Sequence, residues 1–204
     1  MRVLKKLWIR LLQLLAYNIP GATSTRIRIH RIRGVEIKKN VFIGQHVHID
    51  NTAPHKVYIG NNTQLSMNVL IITHFRELGR DDNTKYSVYI DDDVFIGAGV
   101  IILPAVRIGK GSVIATGSVV TTSIPDHTFA IGNPAISKAK VGKALLAETS
   151  WAEFIKNMKP LKKAHALSKE STGKSESPGE VMNHEAHEGY EEKSTSYGFP
   201  LSRK

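Results

Sequence analysis

Residues 94–125 read VFIGAGVIILPAVRIGKGSVIATGSVVTTSIP, and this stretch decides the fold. A large aliphatic residue recurs at every sixth position, and a small or β-branched residue follows four positions after each one. A six-residue period does not keep one face of an α-helix pointing inward, and repeated glycine would cost a helix about 1 kcal/mol per residue. The pattern therefore predicts short strands joined by tight turns and stacked as an all-β solenoid.

The same grid extends towards the N-terminus, with two interruptions. Its aliphatic positions are Ile37, Ile43, Ile49, Ile59, Leu65, Ile71, Ile90, Ile96, Ile102, Ile108, Ile114 and Val120. The second inward positions are Val41, Val47, Thr63, Val69, Val94, Val100, Val106, Ser112, Ser118 and Ile124. The interruptions follow Ile49 and Ile71, and insertions in a solenoid form loops that often build the binding face.

On these repeats the chain resembles the hexapeptide-repeat acyltransferases, and among them the bacterial sugar and polysaccharide O-acetyltransferases of the maltose/galactoside acetyltransferase-like group. The resemblance covers residues 31–136 and is closest in the IGAG, IATGS, VVTT and AIGNPA motifs that begin at Ile96, Ile114, Val119 and Ala130. It implies a left-handed parallel β-helix of triangular section with three hexads to a coil, hence about four coils.

The resemblance also implies a catalytic residue. In the resembling sugar O-acetyltransferases a hexad that ends in Thr-His before an extended loop carries the catalytic base, and Ile71-Ile72-Thr73-His74 matches that arrangement. A neutral imidazole can take the proton of a sugar hydroxyl as the oxygen attacks a thioester. The side chains that can orient the ring are those of Glu77, Asp81 and Asp82, and backbone N–H groups of residues 97–99 are expected to stabilise the oxyanion.

Relatives in this family hold coenzyme A along the coil edges, so the resemblance implies acetyl-CoA as the acyl donor and Ala98, Thr116 and Thr121 as its contacts. Thr116 stands where relatives usually carry alanine. Lys138 and Lys140 meet nucleotide phosphates or form a solvated basic edge. Family relatives are trimers with active sites between subunits. A homotrimer is therefore expected, with His74 and the coenzyme groove supplied by adjacent chains.

Composition narrows the chemistry further. The 204 residues carry a formal charge of +10 and no cysteine, which excludes a thiol nucleophile, a disulfide scaffold and a cysteine-based metal site. Residues 26–33 alternate arginine and isoleucine and predict an amphipathic strand. No aromatic residue interleaves with these arginines, so base stacking has no platform and nucleic acid is not an expected partner.

Residues 1–17 predict an amphipathic helix. The apolar residues at helical spacing are Leu4, Leu7, Trp8, Leu11, Leu12 and Leu15. The apolar run is far shorter than the roughly 20 residues that span a bilayer. The helix packs on the body or a partner, or it lies in the plane of a membrane. The protein is accordingly expected in the cytoplasm, with peripheral contact at the inner face of the cytoplasmic membrane as the second alternative.

Four segments follow from these patterns: an N-terminal helix (residues 1–20), the solenoid (21–140), a C-terminal helix that caps its open end (141–167) and a tail (168–204). The tail holds five basic and seven acidic side chains, which leaves +12 on the other residues. Its few aliphatic residues cannot offset the entropy of ordering, so disorder is expected.

The expected function is transfer of an acetyl group from acetyl-CoA to a sugar hydroxyl of a bacterial surface polysaccharide or its precursor, directly and without a covalent enzyme intermediate. The alternatives are an acyltransferase for a drug or a nucleotide-sugar and a non-catalytic scaffold. A zinc enzyme of the carbonic anhydrase type is a further alternative because of His46, His48, His55 and His74. The His-x4-His pair of that family is absent, and no metal is expected.

Overall fold

The six-residue grid folds into short strands. The computed structural model describes residues 2–74 and 86–161. The strands are β1 (Glu36–Ile37), β2 (Phe42–Ile43), β3 (His48–Ile49), β4 (Val57–Ile59), β5 (Gln64–Leu65), β6 (Leu70–Ile71), β7 (Val88–Ile90), β8 (Phe95–Ile96), β9 (Ile101–Ile102), β10 (Arg107–Ile108), β11 (Val113–Ile114), β12 (Val119–Val120), β13 (Thr128–Ile131), β14 (Ile136–Val141) and β15 (Met158–Pro160). The α-helices are α1 (Arg2–Asn18), α2 (Thr25–Ile32) and α3 (Trp151–Lys156), and a 3-10 turn covers Pro54–Lys56.

Successive strands lie on successive sheets, so the chain winds as a parallel β-helix. The first sheet joins β1, β4, β7 and β10, and the third joins β3, β6, β9 and β12. The second joins β2, β5, β8, β11 and β13 and continues into β14 and β15. From β1 to β13 the neighbouring strands are parallel and in register, for example Ile37 beside Ile59 and Ile49 beside Ile71. Strands β14 and β15 are added to the second sheet in antiparallel pairing. The predicted parallel solenoid is confirmed, while its left hand and number of coils stay predictions.

The core is the grid itself. Every aliphatic grid residue is at most 6% exposed, and the second inward positions are buried as well. At several corners asparagine adopts the left-handed conformation, as at Asn40, Asn62 and Asn68 with φ between 54° and 59°. A Cβ atom at Gly97 would lie 2.5 Å from the backbone nitrogen of Thr116. Close stacking of coils therefore requires glycine at that corner.

The strand predicted over residues 26–33 is wrong, because Thr25–Ile32 forms α2. In a helix Arg26, His30 and Arg33 project from one side, and each of them is at most 4% exposed. In the predicted strand the arginines would instead have shared one exposed face. The β-helix accordingly begins at Glu36 and not at residue 21.

Three arginines of this segment, the buried Arg26 and Arg33 and the exposed Arg31, donate hydrogen bonds to the open end of the β-helix. The first coil has no coil before it, so the last carbonyl of each of its strands needs a donor from elsewhere. The guanidinium donors pair as Arg31 with the carbonyl of Ile37, Arg26 with that of Ile43 and Arg33 with that of Ile49. The side chain of Gln13 in α1 also donates to the carbonyl of Val47 at 3.1 Å. The terminal guanidinium nitrogens of the buried Arg26 and Arg33 therefore have acceptors on the first coil.

Helix α1 packs on α2 through Leu12 and Ala16, which meet Ile29. Within the described residues, no helix combines the length and the apolar character needed to cross a membrane.

The helix predicted over residues 141–167 is also wrong within the described part of the chain. Val141 ends β14, and the helix is confined to α3, which begins after Ser150; the Ser150 side chain accepts from the Glu153 N–H. Strand β15 then pairs with β14. Phe154 is buried in a cluster with Val113 of the second sheet. This segment therefore covers the side of the solenoid. Residues 162–167 and the predicted disordered tail, 168–204, lie outside the described residues.

Candidate active site

His74 stands just after β6, at the corner that follows the third sheet. Its ring Nδ1 is hydrogen-bonded to Oδ2 of Asp50. The imidazole side chain is 52% exposed, whereas the Asp50 side chain is 5% exposed. A buried carboxylate thus holds one ring nitrogen while the rest of the ring faces solvent.

Asp50 is placed by the register of the coils. It follows β3, whose Ile49 lies beside Ile71 of β6, so it meets the chain where that chain turns towards His74. Its oxygens also accept from the Thr52 N–H at 2.7 Å, the Thr73 N–H at 2.9 Å and the Thr73 hydroxyl at 3.0 Å. Burial raises the pKa of Asp50, but these hydrogen bonds and that of His74 outweigh it and bring the pKa below its usual value.

An ionised Asp50 fixes the protonation pattern of the ring. A carboxylate only accepts hydrogen bonds, so Nδ1 must carry the proton and Nε2 keeps its lone pair. This is the tautomer that a general base needs.

Asp50 is the candidate site residue that the sequence alone did not reveal. The residues proposed to orient the ring, Glu77, Asp81 and Asp82, lie outside the described residues. The signal that identifies Asp50 is its position directly after Ile49, one coil before Ile71. Stacked hexads bring residues at equivalent positions together, whatever number of residues separates them in the chain.

Arg33 links this corner to α2. Its guanidinium donates to the backbone carbonyl of Asp50 at 3.2 Å and to Oδ1 of Asn51 at 2.9 Å. Burial lowers the pKa of Arg33 to about 10, against the opposing effect of the Asp50 charge. Burial, and then the Arg33 charge, also lower the pKa of the nearby His48. Arg33 therefore ties Asp50 and Asn51 to the C-terminal end of α2.

The predicted coenzyme contacts divide between two corners. Ala98 and Thr116 line a groove of about 580 Å³ at the corner that follows the second sheet. The other lining residues are Pro20, Gly21, Ala22, Arg26, Phe42, Gly44, Gln45, Ser66 and Met67. Thr121 is exposed and follows β12 of the third sheet, which ends at the corner of His74. The structure therefore brings Ala98 and Thr116 together and separates Thr121 from them.

Two further expectations concern the oxyanion donors and the lysines near the coenzyme. The N–H groups of Gly97 and Gly99 already donate to the carbonyls of Ile114 and Met67. The oxyanion donors predicted at residues 97–99 are therefore wrong for those two groups. Lys138 and Lys140 lie exposed on β14 and do not line the groove.

The histidines considered as metal ligands are dispersed. The ring of His46 packs against that of Tyr17 at an angle of 34°, with the centroids 4.6 Å apart, and His74 is hydrogen-bonded to Asp50. In residues 2–74 and 86–161 no three His, Asp or Glu side chains are grouped so that they could hold a metal ion.

Comparison with known proteins identifies the repeat. Residues 87–122 match the bacterial transferase hexapeptide family (six repeats). This confirms the predicted resemblance to the hexapeptide-repeat acetyltransferases.

Several proteins similar to this chain are named acetyltransferases. The chain is 41% identical over 117 residues to a galactoside O-acetyltransferase of Lactococcus lactis, which covers 50% of this chain and 54% of that protein. A solved maltose O-acetyltransferase from Clostridium difficile is 29% identical with a TM-score of 0.52, over 68% of this chain and 87% of that one. A hexapeptide-repeat acetyltransferase from Vibrio cholerae, 24% identical with a TM-score of 0.51 over 68% and 91%, shares the fold. The chain spans about half the length of the curated relatives it matches.

Proposed function

We propose that this protein is an acetyl-CoA-dependent O-acetyltransferase in which His74 is the general base and Asp50 is its positioning residue. The observation that carries the proposal is the bond between the half-exposed ring of His74 and the buried carboxylate of Asp50. Relatives named galactoside and maltose O-acetyltransferase support a saccharide acceptor. We further propose a bacterial surface polysaccharide or its precursor as that acceptor.

The reaction is a direct transfer. Nε2 of His74 takes the proton of the sugar hydroxyl while the oxygen attacks the thioester carbonyl carbon. The carbon–oxygen bond forms, the carbon–sulfur bond breaks, and the proton passes from His74 to the departing sulfur of coenzyme A. Asp50 keeps Nδ1 protonated and stabilises the imidazolium that exists between the two proton transfers.

The groove lined by Ala98 and Thr116 is the proposed site of the pantetheine arm of acetyl-CoA. It lies at a different corner of the β-helix from His74. A single chain therefore does not face its own groove with its own base. We propose a homotrimer in which His74 of one protomer meets the groove of the next, while Thr121 stays on the side of His74.

The acetyl-transfer assay tests the base. Purified protein is incubated with acetyl-CoA and a panel of glycans, nucleotide-sugars and hydroxylated drugs, and release of the coenzyme thiol is followed. His74→Asn is expected to lower kcat by about 10²–10⁴-fold, which is the usual contribution of a general base. His127→Asn is the matched control, since asparagine tolerates the φ of 50° at that corner. Full activity of His74→Asn would refute the mechanism, and absence of acetyl-CoA binding in calorimetry would indicate a non-catalytic scaffold.

Mixing inactive variants tests the shared site. Thr116→Trp fills the groove and His74→Asn removes the base, so each variant alone is expected to be inactive. Random exchange between equal amounts of the two restores about one quarter of the active sites if each site lies between protomers. Co-purification of tagged and untagged chains shows that the variants have exchanged protomers. If activity is then not recovered, His74 and the groove of one active site belong to the same protomer.

A further inference from the structure

Helix α1 exposes a continuous apolar surface. Among the side chains of α1 that the structure describes, six large apolar ones are exposed, each by between 46% and 70%: Leu4, Leu7, Trp8, Leu11, Leu14 and Leu15. Because a helix advances by about 100° per residue, these six positions fall within an arc of roughly 120°. We name this surface the leucine stripe.

The leucine stripe points away from the β-helix. Among the side chains of α1 that the structure describes, Leu12, Gln13 and Ala16 are at most 5% exposed and pack on the body, and Tyr17 contacts His46. On the helical wheel Gln13, Ala16 and Tyr17 lie on the side opposite the stripe. Leu12 lies between Ala16 and the edge of the stripe. The contact between α1 and the body therefore leaves the larger apolar face of the helix unused.

The positive charge around the stripe indicates an anionic partner. Residues 1–35 contain eight Lys or Arg residues and no Asp or Glu, and Arg10 and Arg28 are exposed. Two copies of this surface repel each other, whereas an anionic bilayer attracts the basic residues and accepts the apolar side chains.

We propose that α1 lies in the plane of a bilayer that contains anionic lipids, with the leucine stripe in the acyl region and the arginines at the headgroups. The helix has 17 residues, and its amphipathic character suits the interface rather than a span. Trp8, 54% exposed within the stripe, takes the position that tryptophan favours at the boundary of headgroups and acyl chains. This proposal does not depend on the acetyltransferase activity.

The two tryptophans of the chain allow a direct test. In the full-length Trp151→Phe protein Trp8 is the remaining tryptophan, and its fluorescence is expected to shift to shorter wavelength with vesicles of 70% phosphatidylcholine and 30% phosphatidylglycerol. Brominated acyl chains are expected to quench it. The Trp8→Phe protein, which reports on Trp151 of α3, is the matched control and is expected to show neither change.

Vesicle flotation measures the contribution of the stripe. Leu7→Ser with Leu11→Ser is expected to lower the partition coefficient by at least about tenfold, because two leucines no longer leave water. Ile136→Ser with Ile155→Ser removes two exposed aliphatic residues elsewhere and is expected to have no effect. Binding is also expected to weaken in 0.5 M salt and on pure phosphatidylcholine.

Three results would overturn the proposal. The first is no binding of the wild-type chain to the anionic vesicles. The second is binding that the stripe variant leaves unchanged. The third is a stripe variant that lowers the oligomeric state in light scattering, which would show that another copy of the chain covers the stripe.

Discussion

Replacement of Asp50 by asparagine removes one negative charge beside His74 and keeps the size of the side chain. In the native chain Oδ1 of Asp50 accepts from Thr52, and Oδ2 accepts from Thr73 and His74. Asparagine has one oxygen and one NH₂ group. In either orientation the NH₂ group therefore faces a donor, and a hydrogen bond is lost at a site that is 5% exposed.

The contacts of Asp50 allow estimates of the loss of stability and of the loss of kcat in Asp50→Asn. Loss of one hydrogen bond to a charged group costs about 1.5–3 kcal/mol, which lowers the Tm of a domain this size by roughly 3–12 °C. The effect on kcat is expected to be larger, about 10²-fold or 3 kcal/mol of barrier, because the amide no longer holds His74 in the basic tautomer with a charge beside it.

The assay is the release of coenzyme thiol by wild type, Asp50→Asn and Asp91→Asn over a range of pH, with Tm measured on the same samples. Asp91 also holds a positive partner, Arg107, but lies on the first sheet's corner, so its variant controls for the loss of a paired carboxylate. A kcat within about threefold of wild type for Asp50→Asn, or an equal loss in both variants, would refute the positioning role.

Burial, then the Arg33 charge, lower the pKa of His30 to about 3. Between pH 6.5 and 5 only the unfolded chain then gains a proton at this residue, so the free energy of unfolding, measured with denaturant, should fall by about 1.6 kcal/mol more in wild type than in His30→Gln. An equal fall in both proteins would contradict this. Arg33→Met should cost about 3–5 kcal/mol by leaving buried acceptors unpaired, whereas the exposed Arg28→Met should change unfolding by less than about 0.5 kcal/mol. Gly97→Ala should lower Tm by about 2–10 °C because its Cβ meets the next coil's backbone 2.5 Å away, whereas Gly117→Asn, at an open corner with φ of 72°, should leave Tm nearly unchanged.

The repeat was predictable because the inward-facing residues recur at a fixed spacing in the sequence. All the grid positions are buried, since a solenoid repeats one local environment and the sequence repeats with it. The position of His74 at a corner followed from the same grid. Its chemical role came from a resemblance and stays a prediction.

Other features depend on contacts between segments that the local pattern does not record. A hydrophobic periodicity places Arg26 and Arg33 on the exposed side of their element because they are charged. In the structure both are buried, where they donate hydrogen bonds to carbonyls of the first coil. Asp50 lies in an insertion, and only the stacking of coils brings it to His74. The apolar spacing around Phe154 resembled a long helix, but pairing of β15 with β14 limits that helix to six residues.

The arginine-closed end of the β-helix has a consequence for assembly. An uncovered first coil would offer a row of carbonyl acceptors, and any extended segment with free N–H groups could add there as an extra rung. Arg26, Arg31 and Arg33 occupy those acceptors with groups that cannot themselves accept a hydrogen bond. The three arginines therefore take up acceptors that such a segment would need in order to extend the stack at this end.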